Sequence, residues 1–499
     1  MSKRVLLVNP PSEFLIDQRV FLPLGLASVA AFSREKGVDV DLLDLAGVKD
    51  YRAAVQKKVS QGNFEAVGIT STSPQFYYAH KVLEAIKQTS PSLKVILGGA
   101  HGSMFFSLKK SLEARFGREG LEERLREEDP NFASIEDFDT IAYGEERALI
   151  TALKSDQKWV DGGITSSLDQ LPMPARDLFD MQSYLFTKEG QPKFTINRSP
   201  TGSLISQRGC PYVCEFCCGR DSVLYNRVSL PGGALRAHSP DWILQELDAM
   251  NAEFGLDSFM FYDDEFNLHS EKTISLCERL SERDYHFRGF LRSNLLAKNP
   301  EVAKAMKSAG FEEVLVGIET GSDRILANHL SKGTTPEMNY EAARVCLEAG
   351  LKFKALTMLG HTSETEADIL ATRNWLVKAG QMYRDKLGPG KFSFDLTVFQ
   401  PYAGSKIWDQ AVRNTGDFAE RYAWVYQTNR GGSVVDPSFG GIYFNKVDFG
   451  SEEHGFYKGV PGKYQAFIRT QGITSSRFVE LRDSIDAEVR DSLGIKRIT

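Results

Sequence analysis

Short apolar runs rich in β-branched residues recur through residues 1–155: Val5–Val8, Val38–Leu43, Ala66–Thr70, Val95–Leu97 and Thr140–Tyr143. Between them lie longer stretches with apolar positions at helical spacing, among them Leu22–Lys36 and Tyr77–Lys87. The second aligns Val82, Ala85 and Ile86 on one face. Strands alternating with helices predict an α/β domain built on a doubly wound parallel sheet. In such a sheet ligands bind where loops leave the carboxyl ends of the strands. Those loops are Asn9-Pro10-Pro11-Ser12, Ser71-Thr72-Ser73-Pro74, Gly98-Gly99-Ala100-His101-Gly102 and Tyr143-Gly144-Glu145. Their Gly, Pro and Ser content suits close approach of backbone to a ligand, and equally suits plain turns.

Residues 156–200 read as a linker, with Gly162-Gly163 and with Pro172 and Pro174 flanking Met173. The charged stretch Arg118–Asp129 reads as a solvated helix or insertion. Over 201–412 the alternation restarts. Its strands are Ser203–Gln207, Ser258–Tyr262, Phe287–Leu291, Glu313–Val316, Phe353–Met358 and Ser393–Val398. The helices are Pro240–Glu253, Glu271–Glu282, Pro300–Ala309, Pro336–Glu348 and Glu364–Ala379. Six such units predict a partial (β/α)6 barrel with its active residues at the strand carboxyl ends. Residues 413–499 form a small α+β region. It is rich in Gly and aromatics (Trp424, Tyr426, Phe439, Tyr443, Phe444) and ends in a helix, Ser475–Leu493, stopped by Gly494.

Composition narrows the class. Of 499 residues 42% are apolar and 25% charged, which excludes a disordered chain. Sixty basic against 66 acidic residues give a net charge of −6, so general nucleic-acid binding is disfavoured. The longest apolar-rich stretch, Phe21–Phe32, contains Pro23 and Gly25 and falls short of the about 20 residues a membrane span needs. The run Val5–Val8 is too short for a signal-peptide core, and the protein reads as cytoplasmic. Six cysteines are too few for a disulfide framework. Four of them, Cys210, Cys214, Cys217 and Cys218, lie close together and read as a metal or cluster site.

The cysteines sit in Gln207-Arg208-Gly209-Cys210-Pro211-Tyr212-Val213-Cys214-Glu215-Phe216-Cys217-Cys218, directly after the first barrel strand. Spacings of four and then three let one loop wrap a single inorganic cube. Thiolates hold iron–sulfur clusters, usually four to a [4Fe–4S] unit. Three therefore leave one iron open to a ligand, as catalytic zinc keeps one position open. The competing reading is structural zinc with Cys218 as fourth ligand. Adjacent cysteines seldom share one ion, and zinc sites usually join two separate CxxC pairs. Cys218 then packs beside the loop, and Cys277 and Cys346, inside helical patterns, belong to the core.

CxxxCxxC with an aromatic residue, Phe216, before the third cysteine resembles the radical S-adenosylmethionine (SAM) superfamily. The resemblance implies that Cys210, Cys214 and Cys217 ligate a [4Fe–4S] cluster whose fourth iron is chelated by SAM. Asp263-Asp264-Glu265 resembles the acidic motif that receives the SAM amino group. Arg292-Ser293 resembles the position that contacts SAM carboxylate or ribose. Gly317-Ile318-Glu319-Thr320-Gly321-Ser322 resembles the fourth-strand motif that approaches adenosine. Lys332-Gly333, Gly360 with Glu364-Thr365, and Gln400–Ser405 resemble later landmarks. Tyr402, at a strand end, is a candidate donor of hydrogen or a proton and hence a candidate catalytic residue.

A doubly wound domain ahead of such a barrel, opening Val-Asn-Pro-Pro and followed by Leu171-Pro172-Met173-Pro174-Ala175-Arg176, resembles the cobalamin-binding subgroup. The implied architecture is a Rossmann-like, flavodoxin-like cobalamin domain, then the radical SAM barrel. Pro10, Ser71, Ser73, Gly98, Gly99, His101, Tyr143 and Gly144 are the implied cobalamin contacts. One departure is clear: many cobalamin domains carry Asp-x-His-x-x-Gly with a cobalt-ligating histidine, and the first loop here has Asp17 but no histidine. The implied function is a cobalamin-dependent radical SAM methyltransferase acting on an unactivated carbon or a phosphinate of a small-molecule substrate. A 5′-deoxyadenosyl radical abstracts hydrogen before the methyl group arrives from cobalamin. The family also implies a flavodoxin- or ferredoxin-type electron donor. The alternatives are an oxidative cyclase or rearrangement enzyme on the same scaffold, with or without cobalamin, and a non-catalytic zinc-binding module.

Overall fold

A computed structural model describes residues 4–15, 17–117, 119–123, 130–193, 195–212, 214–217, 235–400, 405, 442–444, 466 and 468–496. The first sheet is parallel and six-stranded: β1 Arg4–Asn9, β2 Asp39–Asp44, β3 Ala66–Thr70, β4 Lys94–Gly98, β5 Thr140–Tyr143 and β6 Trp159–Asp161. Its order is β2-β1-β3-β4-β5-β6, so the direction of winding reverses between β1 and β3. Val5, Leu6, Leu7 and Val8 are all buried, because helices cover both faces. Helix Phe76–Thr89 shows why: Phe76, Ala79, Val82, Leu83, Ala85 and Ile86 form one buried stripe. β6 lies where the linker was expected. It places only Val160 in the core, too short a pattern to announce a strand, and pairs with β5 through Ile141↔Trp159, Ala142↔Val160 and Tyr143↔Asp161.

The connector after β6 straps the two halves together. Ala175 N donates to Ala27 O in the first helix. The buried Arg176 Nη2 reaches Glu246 Oε1 at 2.6 Å and Ser203 O at 2.7 Å in the second half.

The second sheet has the order β15-β14-β13-β12-β11-β8-β7. β7 (Thr195–Ile196) runs antiparallel to β8 (Ser199–Leu204), and β8 is followed by β11 Ser258–Phe261, β12 His286–Arg292, β13 Phe311–Glu319, β14 Lys352–Leu359 and β15 Phe392–Val398. These six parallel strands in chain order make the half-barrel. On β14 the buried Phe353, Ala355, Thr357 and Leu359 alternate with Lys354, Leu356 and Met358, so one face meets the helices and the other the barrel interior. The helices start on caps: Ser239 accepts from Trp242 N, Thr335 from Met338 N, and Thr365 forms a capping box with Asp368. The expected strand Ser203–Gln207 is broken. β8 ends at Leu204, and β9 (Gln207–Arg208) leaves the barrel to pair antiparallel with β10 (Arg236–Ala237). The expected helix Glu364–Ala379 runs instead from Glu366 to Leu387.

The last region is α+β, with β16 (Ile442–Phe444) antiparallel to β17 (Ile468–Thr470), then the helix Ser475–Leu493 ended by Gly494 at φ 66°. That helix lies along the outer edge of β15. Arg482 Nε donates to Leu396 O at 3.0 Å, and Arg490 Nη2 to Phe394 O at 3.3 Å. Cys277 and Cys346 are core residues, 1% and 0% exposed. Cys218, Tyr402, Trp424, Tyr426 and Phe439 lie outside the described residues, as does most of Arg118–Asp129.

Candidate active site

The cysteine loop is pinched at its base. β9 and β10 pair as Gln207↔Ala237 and Arg208↔Arg236, closing the excursion 209–235. The acidic turn after β11 holds that stem. Asp263, 2% exposed, accepts from Ser206 N at 2.6 Å, from Gln207 N at 3.0 Å and from the Ser206 hydroxyl. Asp264 accepts from Gly209 N at 3.1 Å, where φ is 92°. Gln207 Nε2 donates to the Glu265 carbonyl. Two of the three acids expected at SAM are thus engaged with the loop's own backbone. Glu265 differs: its Oε2 is buried and has no hydrogen-bond partner in the structure. Burial raises its pKa to about 7, against the opposing pull of Lys332 and Arg292.

Cys214 is buried, Cys210 half-buried and Cys217 exposed. Cys217 N donates to Cys214 O, and Glu215 N to Leu330 O, so the loop turns tightly and docks on the segment before Lys332. Burial pushes the Cys210 thiol up to about 12, with Glu265 and Asp264 adding to it, so a metal has to displace its proton. Among the described residues no three His, Cys, Asp or Glu side chains converge on a single-ion site. A cube makes a different demand, since each of its thiolates binds a different iron. The donor set, three cysteine thiols on one short loop, has the chemistry such a cube needs.

Arg292, 1% exposed, underlies the loop. Its Nη1 points to Cys214 Sγ at 3.7 Å, its guanidinium lies over the Tyr212 ring at 3.5 Å from the centroid, and Nη2 donates to Lys332 O. Lys332, 4% exposed, donates from Nζ to Gly317 O at 2.8 Å and pairs with Glu319. A Cβ on Gly317 would come within 2.6 Å of that Nζ. Glu319 takes φ 63° at a register shift between β13 and β14, a kink that re-aims its carboxylate. Ser293, expected at SAM, is fully buried and bonds Asn339 Oδ1 at 2.5 Å, so it braces two elements under the site. Glu364 takes Gly360 N at 2.5 Å, and burial raises its pKa to about 8.

At the carboxyl edge of the first sheet is a cavity of about 320 Å³, lined by Gly68, Thr70, Gly98, Gly99, Gly144 and Ser103 among others. Ile205 and Arg208, just upstream of Cys210, also line it. Its glycines are required. Gly99 has φ 85° and a Cβ there would lie 2.6 Å from Ser71 N; Gly144 has φ 106° and a Cβ 2.7 Å from Gly163 O. These glycines and the apolar side chains around them, such as Leu26, Val29 and Ile96, suit one edge of a flat neutral cofactor, and Glu145 and Glu146 also line the cavity. Of the expected contacts, Gly98, Gly99 and Gly144 line the cavity. The others brace its loops. Ser71 N donates to Gly98 O, and Ser71 O accepts from His101 N. His101 is fully buried, 3.1 Å from Ser73 Oγ and stacked on Phe76 at 4.1 Å. Tyr143 stacks on Phe106 at 5.0 Å, and Pro10 O takes Gln75 Nε2 at 3.4 Å. Gly68, inside β3, was missed by sequence reasoning, although glycine within a strand is itself a sign of close approach. Arg208 was missed because only the fold brings it to the cavity.

Residues 204–376 match the model of the radical SAM superfamily, and residues 19–117 that of the B12 binding domain. An uncharacterized methyltransferase of Pyrococcus horikoshii is 27% identical over 82% of this chain and 83% of its own length. The cytidylyl-2-hydroxyethylphosphonate methyltransferase of Streptomyces wedmorensis is 22% identical over 82% of each. The structure of the radical SAM methyltransferase TsrM from Kitasatospora setae, with cobalamin and a [4Fe–4S] cluster bound, shares the fold at a TM-score of 0.52, with 20% identity over 82% of this chain and 75% of that one. The cofactors that go with this pair of domains are a [4Fe–4S] cluster, SAM and cobalamin. The chain is an enzyme of the radical SAM superfamily, in the group that joins a B12-binding domain to the barrel.

Proposed function

We propose that the protein is a cobalamin-dependent radical SAM methyltransferase that alkylates an unactivated carbon or a phosphinate of a small-molecule substrate. The observation that carries this reading is the shared wall: the glycine cradle of the first sheet is closed by Ile205 and Arg208, and Cys210 follows two residues later. A methyl carrier and a radical source would therefore sit side by side. When bound, the cluster and SAM supply a hydrogen-abstracting radical, and cobalamin supplies the methyl group.

The chain's own residues have separable tasks. Cys210, Cys214 and Cys217 hold the cluster, and Arg292 donates toward Cys214 Sγ, which orients that side chain. The buried, unpartnered Oε2 of Glu265 receives the SAM ammonium, while Asp263 and Asp264 fix the loop stem. Gly317 leaves room for the Lys332–Glu319 ion pair, which lies against its backbone at the strand end where adenosine is expected. Gly98, Gly99 and Gly144 admit cobalamin. Tyr402, outside the described residues, remains a candidate donor of hydrogen or a proton, and a flavodoxin- or ferredoxin-type protein supplies the electron. No helix among the described residues is long and apolar enough to cross a membrane.

Anaerobically purified protein, reconstituted with cobalamin and given SAM, reductant and candidate acceptors, tests this. Methyl transfer yields S-adenosylhomocysteine, 5′-deoxyadenosine and a methylated product together. Deoxyadenosine alone, with a consumed substrate, would instead assign the cyclase or rearrangement class. A zinc-only module would show neither iron nor a visible spectrum, against about four irons per chain for the cluster.

A further inference from the structure

β9 and β10 set Arg208 directly opposite Arg236. Like charges facing each other across a strand pair repel, so this two-residue ladder cannot hold itself closed. Its counter-charges come from elsewhere: Glu145 and Glu146, on the loop after β5. Arg236 grips Glu145 with both terminal nitrogens, at 2.8 and 2.6 Å, and also donates to Thr165 O at 2.6 Å. Arg208 grips Glu146 at 3.1 and 2.6 Å and lies 3.6 Å from Glu145. Thr165 N completes Glu145 at 2.8 Å. Arg236 and Glu146 are buried, and forked arginine–carboxylate pairs of this kind fix geometry as well as energy. The same carboxylates border the cavity of the first sheet.

We propose that Glu145 and Glu146 are positioning residues: by neutralising Arg208 and Arg236 they keep the stem of the cysteine loop shut against the edge of the first sheet, and so fix the separation of the two cofactor sites. The proposal rests on the methyltransferase reading for its catalytic consequence, but not for its structural one. The stem is closed only while the first domain's loop is docked. Loosening it leaves each site intact and spoils their registration.

The test uses the full holoenzyme carrying Glu145→Gln, Glu146→Gln, both together, Glu145→Arg alone, and the reciprocal pair Glu145→Arg with Arg236→Glu. Amide hydrogen exchange at residues 206–209 and 236–238 rises about tenfold in the double variant, while β12 and β13 keep their protection. Methylated product per 5′-deoxyadenosine falls about tenfold at saturating cobalamin, with iron content unchanged. The reciprocal pair restores stem protection relative to Glu145→Arg alone. Unchanged stem exchange, or a loosened stem with an unchanged product ratio, overturns the proposal. So does failure of the reciprocal pair to restore protection, since the single-variant effect would then be lost packing. Should the unsubstituted enzyme make no methylated product, the methyltransferase reading fails, and the exchange measurements still decide whether the clamp exists.

Discussion

At the carboxyl edge of β1–β5 the loops present mainly backbone and apolar surface, with Gly98, Gly99 and Gly144 beside Leu26 and Ala148, and their charge, Glu145 and Glu146, is neutralised by Arg208 and Arg236. At the carboxyl edge of β8–β14 they present charge: Glu265, Arg292, Glu319, Lys332 and three cysteines. Both edges belong to parallel sheets, and topology alone would treat them alike. The difference tracks the ligands. A corrin with its amide rim asks for space and hydrogen-bonding backbone. A zwitterionic sulfonium and a thiolate cluster ask for paired, desolvated ions whose energies are large in a buried site. On the proposed assignment, glycine prevails at the first edge, where the ion pairs are structural, and buried ions face the ligand at the second.

Substitutions that separate the edges test the contrast. The largest effect is expected from Cys210→Ala, Cys214→Ala or Cys217→Ala: iron content and turnover fall to background, yet cobalamin still binds, as the visible spectrum would report. Loss of cobalamin along with iron would mean that the two edges do not act separately. The mirror image is Gly99→Ala. Its left-handed φ and the 2.6 Å approach to Ser71 N should weaken cobalamin binding at least tenfold, or about 1.4 kcal/mol, while iron is retained. Next comes Glu265→Gln, which keeps the shape but removes the charge. SAM affinity should drop about tenfold with the cluster intact, read by calorimetry of the reconstituted protein.

A smaller effect separates function from mere burial. Glu364 has a folded pKa of about 8, above the ordinary carboxyl range, because burial disfavours its charge. A raised carboxyl pKa means the folded state holds the proton longer than the unfolded one. Its contribution is then full below about pH 4 and lost as pH climbs toward 8. Glu364→Gln should flatten that decline, so the variant's Tm gains several degrees on the unsubstituted protein between pH 5 and pH 8. A gain at low pH instead would reverse the assigned sign. Smallest of all, Ser293→Ala should cost about 1 kcal/mol of stability through Asn339 and leave the SAM KM within about twofold.

Much of this was legible beforehand, and the limits have physical causes. Ala66–Thr70, Thr140–Tyr143, Pro336–Glu348 and Ser475–Leu493 match their expected bounds, the two strands because they are buried along nearly their whole length and the two helices because Thr335 and Thr474 cap them. β6 was hidden by its single buried residue, and β9 by the break at Ile205–Ser206, where a hydrogen-bonding carboxylate 57 positions away holds the turn. The motif residues gathered at the barrel mouth, yet motifs do not say which member meets the ligand. Asp263 and Glu265 look equivalent in the chain, and only their partners distinguish them. Lys332 stood among the quoted landmarks without a task, and its pairing with Glu319 supplies one. His101 stood in a ligand loop and turned inward onto Phe76, as a ring flanked by aromatics will.

The two arginines that reach from the last helix to β15 have an implication for how the chain survives its own synthesis. An incomplete circle of strands ends in a row of bare carbonyls, an invitation to any other extended chain. Arg482 and Arg490 occupy two of those carbonyls. They leave the ribosome well after the strand they cover, so every nascent molecule passes through a period in which that flank is uncovered. Chains cut short before Ser475 would never leave that period and should accumulate as aggregates joined strand to strand.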